Sequence, residues 1–571
     1  MKNLQQILLL IFLINTSLQA QDCGISSVIN TGWDQTYGEY VVDRLFSMLK
    51  TPDGGFLLAG HSDGDSSNYK SSHNRGMDDF WLVKTDYVGN RLWDVSIGGH
   101  NQDYLTSMIQ TKDGNYLLGG YSRSDIKYEK SEKNRGLDDY WIVKVDPYGG
   151  VIWDKTFGGS HIDILTSMIE TENGSFVLGG YSLSGISGDK SEGNQGFETD
   201  WTWMTPDYWV LKVDADGKKI WDKTIGGGES DLLNSIVLTP EGDYLLGGYS
   251  NSNAGTFKKE NSKGGVDYWV VKLDPNGIII WDKTIGGESS DMLMNITMTT
   301  DQNYVLGGTS NSDISGDKSE GLRGTPDYIY NTDNDFWLVK IDSEGTILWD
   351  KTLGGTSLEY FGALIPTQDN GVVAAGSSYS NIGAEKSENR IGGYNDYWII
   401  RTDENGEKIW DKTLGGTNVE TLTDIIPTSE GYLIGGHSDS NRGADKSDNR
   451  HGQTDYHLRG NDFWVISIKV TEEVKPCRPT SKTDITETTK SSLHIRAYPN
   501  PTDDLFTIEL DNLNVKPKTI TLYDIKGNLL KNLPFTSVKT DLSLANLSPG
   551  WYVLKITTEE GRVQEIKFQK N

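Results

Sequence analysis

The feature that most limits what this chain can fold into is a dipeptide that keeps returning. Trp-Asp occurs at Trp33, Trp93, Trp153, Trp221, Trp281, Trp349 and Trp410, with spacings of 60, 60, 68, 60, 68 and 61 residues. A second marker, Asp-aromatic-Trp, also occurs seven times, with its Trp at Trp81, Trp141, Trp209, Trp269, Trp337, Trp398 and Trp464. A period of this length marks a repeat architecture, in which one supersecondary unit stacks on copies of itself because a single copy cannot bury its own apolar faces.

The content of one unit says what is stacked. In Val266–Gly287, Trp269, Val271 and Leu273 alternate with Tyr268, Val270 and Lys272, Pro275-Asn276-Gly277 supplies a turn, and Ile278–Ile285 runs back to the double glycine Gly286-Gly287. That is a hairpin pattern. Two more strand-like pieces precede the hairpin in every unit; in the fifth they are Asp291–Thr299 and Asn303–Gly308, followed by Asn334–Asp342 and Thr346–Thr352. Four short antiparallel strands repeated seven times predict an all-β chain with a seven-bladed β-propeller. The 65 glycines and 17 tryptophans favour this over a helical repeat. If the Trp-Asp strand is outermost, Thr31–Gly38 has no blade before it and Asp462–Lys469 has no outer strand after it. The N-terminal strand is therefore expected to complete the last blade and close the ring, removing the exposed sheet edges.

Tyr304-Val305-Leu306-Gly307-Gly308, then Asp335-Phe336-Trp337 and Trp349, resembles the kelch pattern of a double glycine followed by spaced aromatics. Phe336 to Asp342, a turn, and Trp349 resembles equally the tryptophan-docking repeat of quinoprotein-like propellers. Both resemblances run from about residue 29 to 470. They imply the same strand order, and neither implies a reaction.

Outside the array, Met1–Ala20 has the form of a secretory signal: Lys2, an apolar core from Ile7 to Ile14, and a small-residue exit. The core is too short to span a bilayer and no later run approaches that length, so no transmembrane anchor is expected in the mature chain. Residues 21–477 are assigned to the propeller. Cys23 and Cys477 lie just outside the two strands expected to pair, and a disulfide between them is predicted along the oxidising export route, two unpaired thiols being the alternative. Residues 478–492, rich in Thr, Ser and Lys, form a linker. Residues 493–571 hold at least five short strands with turn residues between them, predicting a small immunoglobulin-like β-sandwich.

This last segment resembles the type A C-terminal sorting domain of the type IX (Por) secretion system of Bacteroidota, through Tyr498-Pro499-Asn500-Pro501, Leu522 to Gly527, Ser548-Pro549-Gly550-Trp551-Tyr552 and a basic end with Lys567 and Lys570. The resemblance implies passage across the outer membrane, recognition of residues 493–571 by the secretion machinery, and release or attachment at the cell surface.

Three constellations recur. Ten residues after each Trp of the Trp-Asp pair stands an acid: Asp43, Asp103, Asp163, Asp231, Asp291, Glu359 and Glu420. Circling one mouth of the channel, these seven would suit a hard cation such as calcium; alternatively each caps its own turn. An acidic-Lys-Ser-acidic core recurs at Asp189–Glu192, Asp317–Glu320, Glu385–Glu388 and Asp445–Asp448, without phosphate-loop or EF-hand spacing, so local turns and blade-to-blade ion pairs are expected. Insertions in units three, five and seven carry Trp201, Trp203, Tyr328, Tyr330, Tyr456 and His457. Aromatic faces beside carboxylates suit a carbohydrate ligand; the other reading packs the insertions together as lids.

The net charge of −28 argues against a nucleic-acid or anionic-membrane partner, since both require clustered Lys and Arg. The His residues do not recur with the repeat, and a copper-radical oxidase of the kelch class would need an internal Cys. Paired carboxylates for glycoside cleavage stay open. The expectation is an exported binding or adhesion module for a carbohydrate or a surface protein. Its rival is a glycan-active enzyme using carboxylates at the channel mouth.

Overall fold

A third strand buried along its entire length, Asp267–Leu273, shows how each repeat is held. Trp269, Val271 and Leu273 pack with Tyr208 and Val210 of the unit before, while Tyr268 and Val270 pack with Trp337 and Val339 of the unit after. The period-two alternation thus feeds two different interfaces. The equivalent Trp is wholly buried in all seven units, and each contributes on the order of 5 kcal/mol of gross transfer energy before chain entropy is set against it.

The structure, a computed structural model, describes residues 25–39, 41–67, 69–196, 205–324, 333–451, 460–474, 495–498, 505–510, 517–524, 529–534, 539–545, 547–558 and 563–570. Regular structure among them is all strand, with no helix. Signal residues 1–20, Cys23, Cys477, the linker 478–492 and the insertion aromatics Trp201, Trp203, Tyr328, Tyr330, Tyr456 and His457 lie outside the described residues. The chain divides into two compact units, Met1–Arg478 and Pro479–Asn571.

The first unit contains seven four-stranded antiparallel sheets, the arrangement of a seven-bladed β-propeller. Six are built from consecutive strands in chain order, as in Asp231–Leu238, Tyr244–Ser250, Asp267–Leu273 and Ile279–Ile285 of blade four. Each first strand packs on the first strand of the next blade, and the seventh packs on the first. A β-bulge interrupts every one of these inner strands. In blade three it falls at Thr166, whose hydroxyl donates to the Leu233 carbonyl of blade four at 2.8 Å. Thr423 of blade seven makes the same bond to Leu45 of blade one, also at 2.8 Å.

Blade seven consists of Glu420–Pro427, Gly431–Ser438 and Asp462–Val474, with Ile25–Tyr37 from the other end of the chain as its outer strand. The sequence pattern placed that strand at Thr31–Gly38; it begins earlier, and its ladder runs from Ile25 opposite Val474 to Tyr37 opposite Phe463. Among the described residues, the second unit has two antiparallel sheets, one of three strands and one of four. Ile508 and Leu542 from the first share a core with Ile520, Leu522, Leu554 and Ile556 from the second.

Candidate functional site

The seven acids Asp43, Asp103, Asp163, Asp231, Asp291, Glu359 and Glu420 open the seven inner strands, and all are fully buried. Each caps the turn that leads into its strand. Asp231 Oδ2 accepts the Gly227 N–H at 2.7 Å and the Ser252 hydroxyl at 3.0 Å, and Asp103, Asp163 and Asp291 repeat both bonds. Glu359 accepts from Gly355 N–H at 3.2 Å and Ser378 at 2.8 Å, Glu420 from Ser438 at 2.9 Å, and Asp43 from Glu39 N–H at 2.7 Å. Among the described residues no three or more His, Cys, Asp or Glu side chains come together to hold a metal.

A second set of buried acids went unnoticed in the sequence: the Asp of each Asp-aromatic-Trp triplet, namely Asp79, Asp139, Asp207, Asp267, Asp335, Asp396 and Asp462. These acids explain the double glycine. At the first glycine of each pair, a Cβ would fall 1.8–2.2 Å from the triplet acid's Oδ1 at Gly98, Gly158, Gly226, Gly286, Gly354 and Gly415. At the second, it would meet a serine Cβ at 2.3–2.6 Å. Only glycine lets the backbone lie this close.

The lysine of the acidic-Lys-Ser-acidic loop is not a surface charge. Lys190 is buried, donates to Thr224 Oγ1, and lies 5.8 Å from the Trp209 ring centre. Lys70, Lys130, Lys258, Lys318, Lys386 and Lys446 sit over the equivalent Trp at 5.5–5.8 Å. Burial pulls Lys130, Lys190, Lys258 and Lys386 down to about 8. The same Trp donates its Nε1–H to the Asp of the Trp-Asp pair in every blade, at 3.0–3.3 Å. The expected blade-to-blade ion pairs are present, Arg135 to Asp189 at 3.0 Å and Arg323 to Glu385 at 3.1 Å. A fifth copy, Glu129 to Glu132, and the degenerate copies around Lys70 and Lys258 share the lysine's placement ahead of the buried Trp.

With the repeated polar groups engaged in structure, a ligand surface is to be sought where the repeat breaks. In blades one to six the sixth residue of the third strand is a buried cation: Lys84, Lys144, Lys212, Lys272, Lys340 or Arg401. Most of these meet an acid in the turn between the first two strands, as Lys84 meets Asp53 at 2.9 Å and Lys144 meets Asp113 at 2.6 Å. Blade seven has Ser467 there. The shorter side chain leaves a cleft of about 600 Å³ between blades seven and one, at the opposite end of the strands from the seven acids. Trp33, Tyr87, Lys50, Thr428, Glu430 and Lys469 line it. Tyr87 is 72% exposed, and Lys469 reaches Glu430 at 2.7 Å. The single departure at Ser467 was the signal that could have found this cleft. At the other end of the seam, where the seventh insertion begins, His451 stacks on Tyr69 with ring centres 3.7 Å apart.

Two curated relatives match part of the chain. One is an uncharacterized WD repeat-containing protein of Acanthamoeba polyphaga mimivirus, 22% identical over 330 residues, covering 47% of this chain and 23% of that protein. The other is regulatory protein FlaEY of Caulobacter vibrioides, 22% identical over 261 residues, covering 43% and 25%. The chain thus spans about a quarter of the length of either. Among solved structures, PorZ, an essential surface component of the type-IX secretion system of Porphyromonas gingivalis, matches over 94% of this chain and 60% of its own, at 10% identity and a TM-score of 0.33. Residues 496–569 match the family of secretion system C-terminal sorting domains. The chain therefore carries a type IX sorting domain and is a protein exported across the outer membrane.

Proposed function

We propose that the chain is an extracellular or cell-surface propeller that binds a carbohydrate or surface-protein ligand, delivered by the type IX machinery through residues 493–571. The ring is closed by the N-terminal strand, and the C-terminal unit is an immunoglobulin-like sandwich. A Cys23–Cys477 disulfide clasps the closure; the outermost ladder pair, Ile25 and Val474, lies two and three residues from these cysteines.

One observation supports the binding reading above the others. The cleft left by Ser467 sets the half-buried Trp33 and the exposed Tyr87 beside Lys50, Thr428, Glu430 and Lys469. Aromatic faces with a few polar groups, in a cleft of this volume, are what a sugar-binding surface requires. The insertion residues Trp201, Trp203, Tyr328, Tyr330, Tyr456 and His457 are the other candidates for such a ligand, by their residue types.

A glycan-array screen of the full chain tests this, repeated with Tyr87→Ala and with Trp201→Ala/Trp203→Ala. Loss of binding in the first variant assigns the ligand to the seam cleft; loss in the second assigns it to the insertions. Absence of binding by the parent chain eliminates the carbohydrate reading and leaves a protein ligand. Release of sugar product would move the assignment to the glycan-active enzyme. Export is tested separately: removing residues 498–571 should hold the propeller in the periplasm.

A further inference from the structure

Every blade boundary buries two carboxyl groups close enough to feel each other's charge. At the boundary of blades three and four these are Asp207, opening a third strand, and Asp231, opening the next inner strand. Asp207 Oδ2 accepts the Gln195 N–H at 2.6 Å, and Asp231 Oδ2 accepts the Gly227 N–H and the Ser252 hydroxyl. Asp207 Oδ1 is buried and receives no hydrogen bond.

The triplet acid has the same unpartnered Oδ1 in all seven blades. Asp79 faces Asp103, Asp139 faces Asp163, Asp267 faces Asp291, Asp335 faces Glu359 and Asp396 faces Glu420. Across the seam Asp462 faces Asp43, and both crowd one spot: a Cβ on Gly38 would lie 2.3 Å from Asp462 Oδ1 and 2.8 Å from Asp43 Oδ2.

Two ionised carboxylates removed from water in such proximity repel, and neither brings a donor to the other. We propose that each of the seven boundaries is held by a carboxyl pair sharing one proton, the acid of one blade donating to the carboxylate of the next, so that the ring is a sevenfold latch that loosens as pH rises.

The electrostatic surroundings fit a retained proton. Burial first, and then the facing acid, push Asp79, Asp139 and Asp207 up to about 7, and burial takes Asp103 to about 6. The charged and titratable groups around the Asp207–Asp231 pair are Lys190 and Lys258, one from the long loop of each blade, and the Tyr208 hydroxyl, which donates to the Trp269 carbonyl at 3.0 Å. Asp222 stands behind Lys190 and pairs with Lys219 at 2.8 Å. The buried lysine of the long loop balances one carboxylate of the pair, and the shared proton removes the second charge.

The sign of the pH effect follows. An unfolded Asp releases its proton near pH 4, whereas the folded pair keeps its proton to about 7. The folded chain holds the extra protons between these values, so the contribution is complete below pH 4 and is lost as pH rises through 7.

Infrared spectroscopy of the folded full chain reads the shared proton directly. The C=O stretch of a protonated carboxyl is expected at pH 6, where free Asp and Glu are ionised, and is expected to vanish by pH 9. Its absence at pH 6 would overturn the proposal. Asp207→Asn supplies a permanent amide donor in place of the proton at one boundary. The melting temperature of the variant is expected to fall less than the parent's between pH 5 and pH 8.5, so that the difference between them moves in the variant's favour at the higher pH. A variant penalised equally at both pH values, or more at pH 8.5, would show that the pair needs no proton.

Discussion

Blades four and seven share one strand pattern, yet one is built from consecutive strands and the other takes its outer strand from the far end of its unit's sequence. In blade four a turn joins the third strand to the outer one: the Asp274 carboxylate accepts the Asn276 and Ile278 N–H groups, and Gly277 takes φ 81°. In blade seven the outer strand comes from residues 25–37, and no turn exists. Bringing together strands more than 400 residues apart costs about 4 kcal/mol more than closing a tight turn. Paired strands of 13 residues replace strands of 7, and the extra ladder offsets that entropy. One interblade bond is kept at the seam, where Thr423 to Leu45 repeats Thr166 to Leu233. What varies is connectivity, and the longer ladder stands where connectivity is weakest.

The largest effect should therefore come from cutting the seam. Removing residues 25–37 exposes the third strand of blade seven, including Trp464, and takes away Asp34, which accepts the Trp464 Nε1–H. Loss of a single cooperative urea transition is expected. Doubling the Asp274–Gly277 turn with inserted Gly-Ser residues should cost only about 0.6 kcal/mol by loop entropy. Equal urea midpoints for the two variants would mean that the seam carries no special burden.

A sharper test uses one bond in two settings. Asp282 in blade four and Asp34 in blade seven accept from the buried Trp, at 3.3 and 3.1 Å, and from a loop N–H, at 2.9 Å in both. Asp282 is 3% exposed, whereas Asp34 is half-buried. Water can replace the acceptor at Asp34 but not at Asp282. Replacement by Ala should cost about 3 kcal/mol at position 282 and about 1 kcal/mol at position 34, measured by denaturant unfolding.

The architecture was legible because period-two alternation, turn residues and the two Trp markers agree within every unit. The expected end of the N-terminal strand was nearly met, but its start at Ile25 was not, because Ser26, Ser27 and Asn30 lack the apolar alternation that marks a strand. Ladder hydrogen bonds to Asp462–Val474 make the strand there, and those partners are distant in sequence. Carboxylates were legible as a recurring type but not as buried pairs, since Asp207 and Asp231 are brought together only by stacking one blade on the next. The lysine in the loop looks solvated by composition, and only the Trp beneath it shows otherwise.

A smaller effect probes the close packing at the boundaries. Gly286→Ala brings a Cβ to 1.9 Å from Asp267 Oδ1, and Gly38→Ala brings one to 2.3 Å from Asp462 Oδ1. Both overpack a carboxyl pair and should cost about 1–3 kcal/mol in thermal unfolding. The seam variant should sit at the low end, because residue 38 borders a strand with no covalent turn to hold it in place.

The smallest change in stability comes from repairing the repeat. Ser467→Lys restores at the seam the cation that occupies the equivalent position in blades one to six, with Glu430 in the neighbouring turn as its acid. An ion pair at such a half-open site contributes about 0–1 kcal/mol, so the melting temperature should scarcely move. The cleft, however, would be filled by the added side chain. If the ligand sits there, binding is lost while stability is kept, and the seam alone among the boundaries is shown to have given up a cation to make room for it. If binding survives, the serine is a tolerated gap and the insertion aromatics carry the recognition.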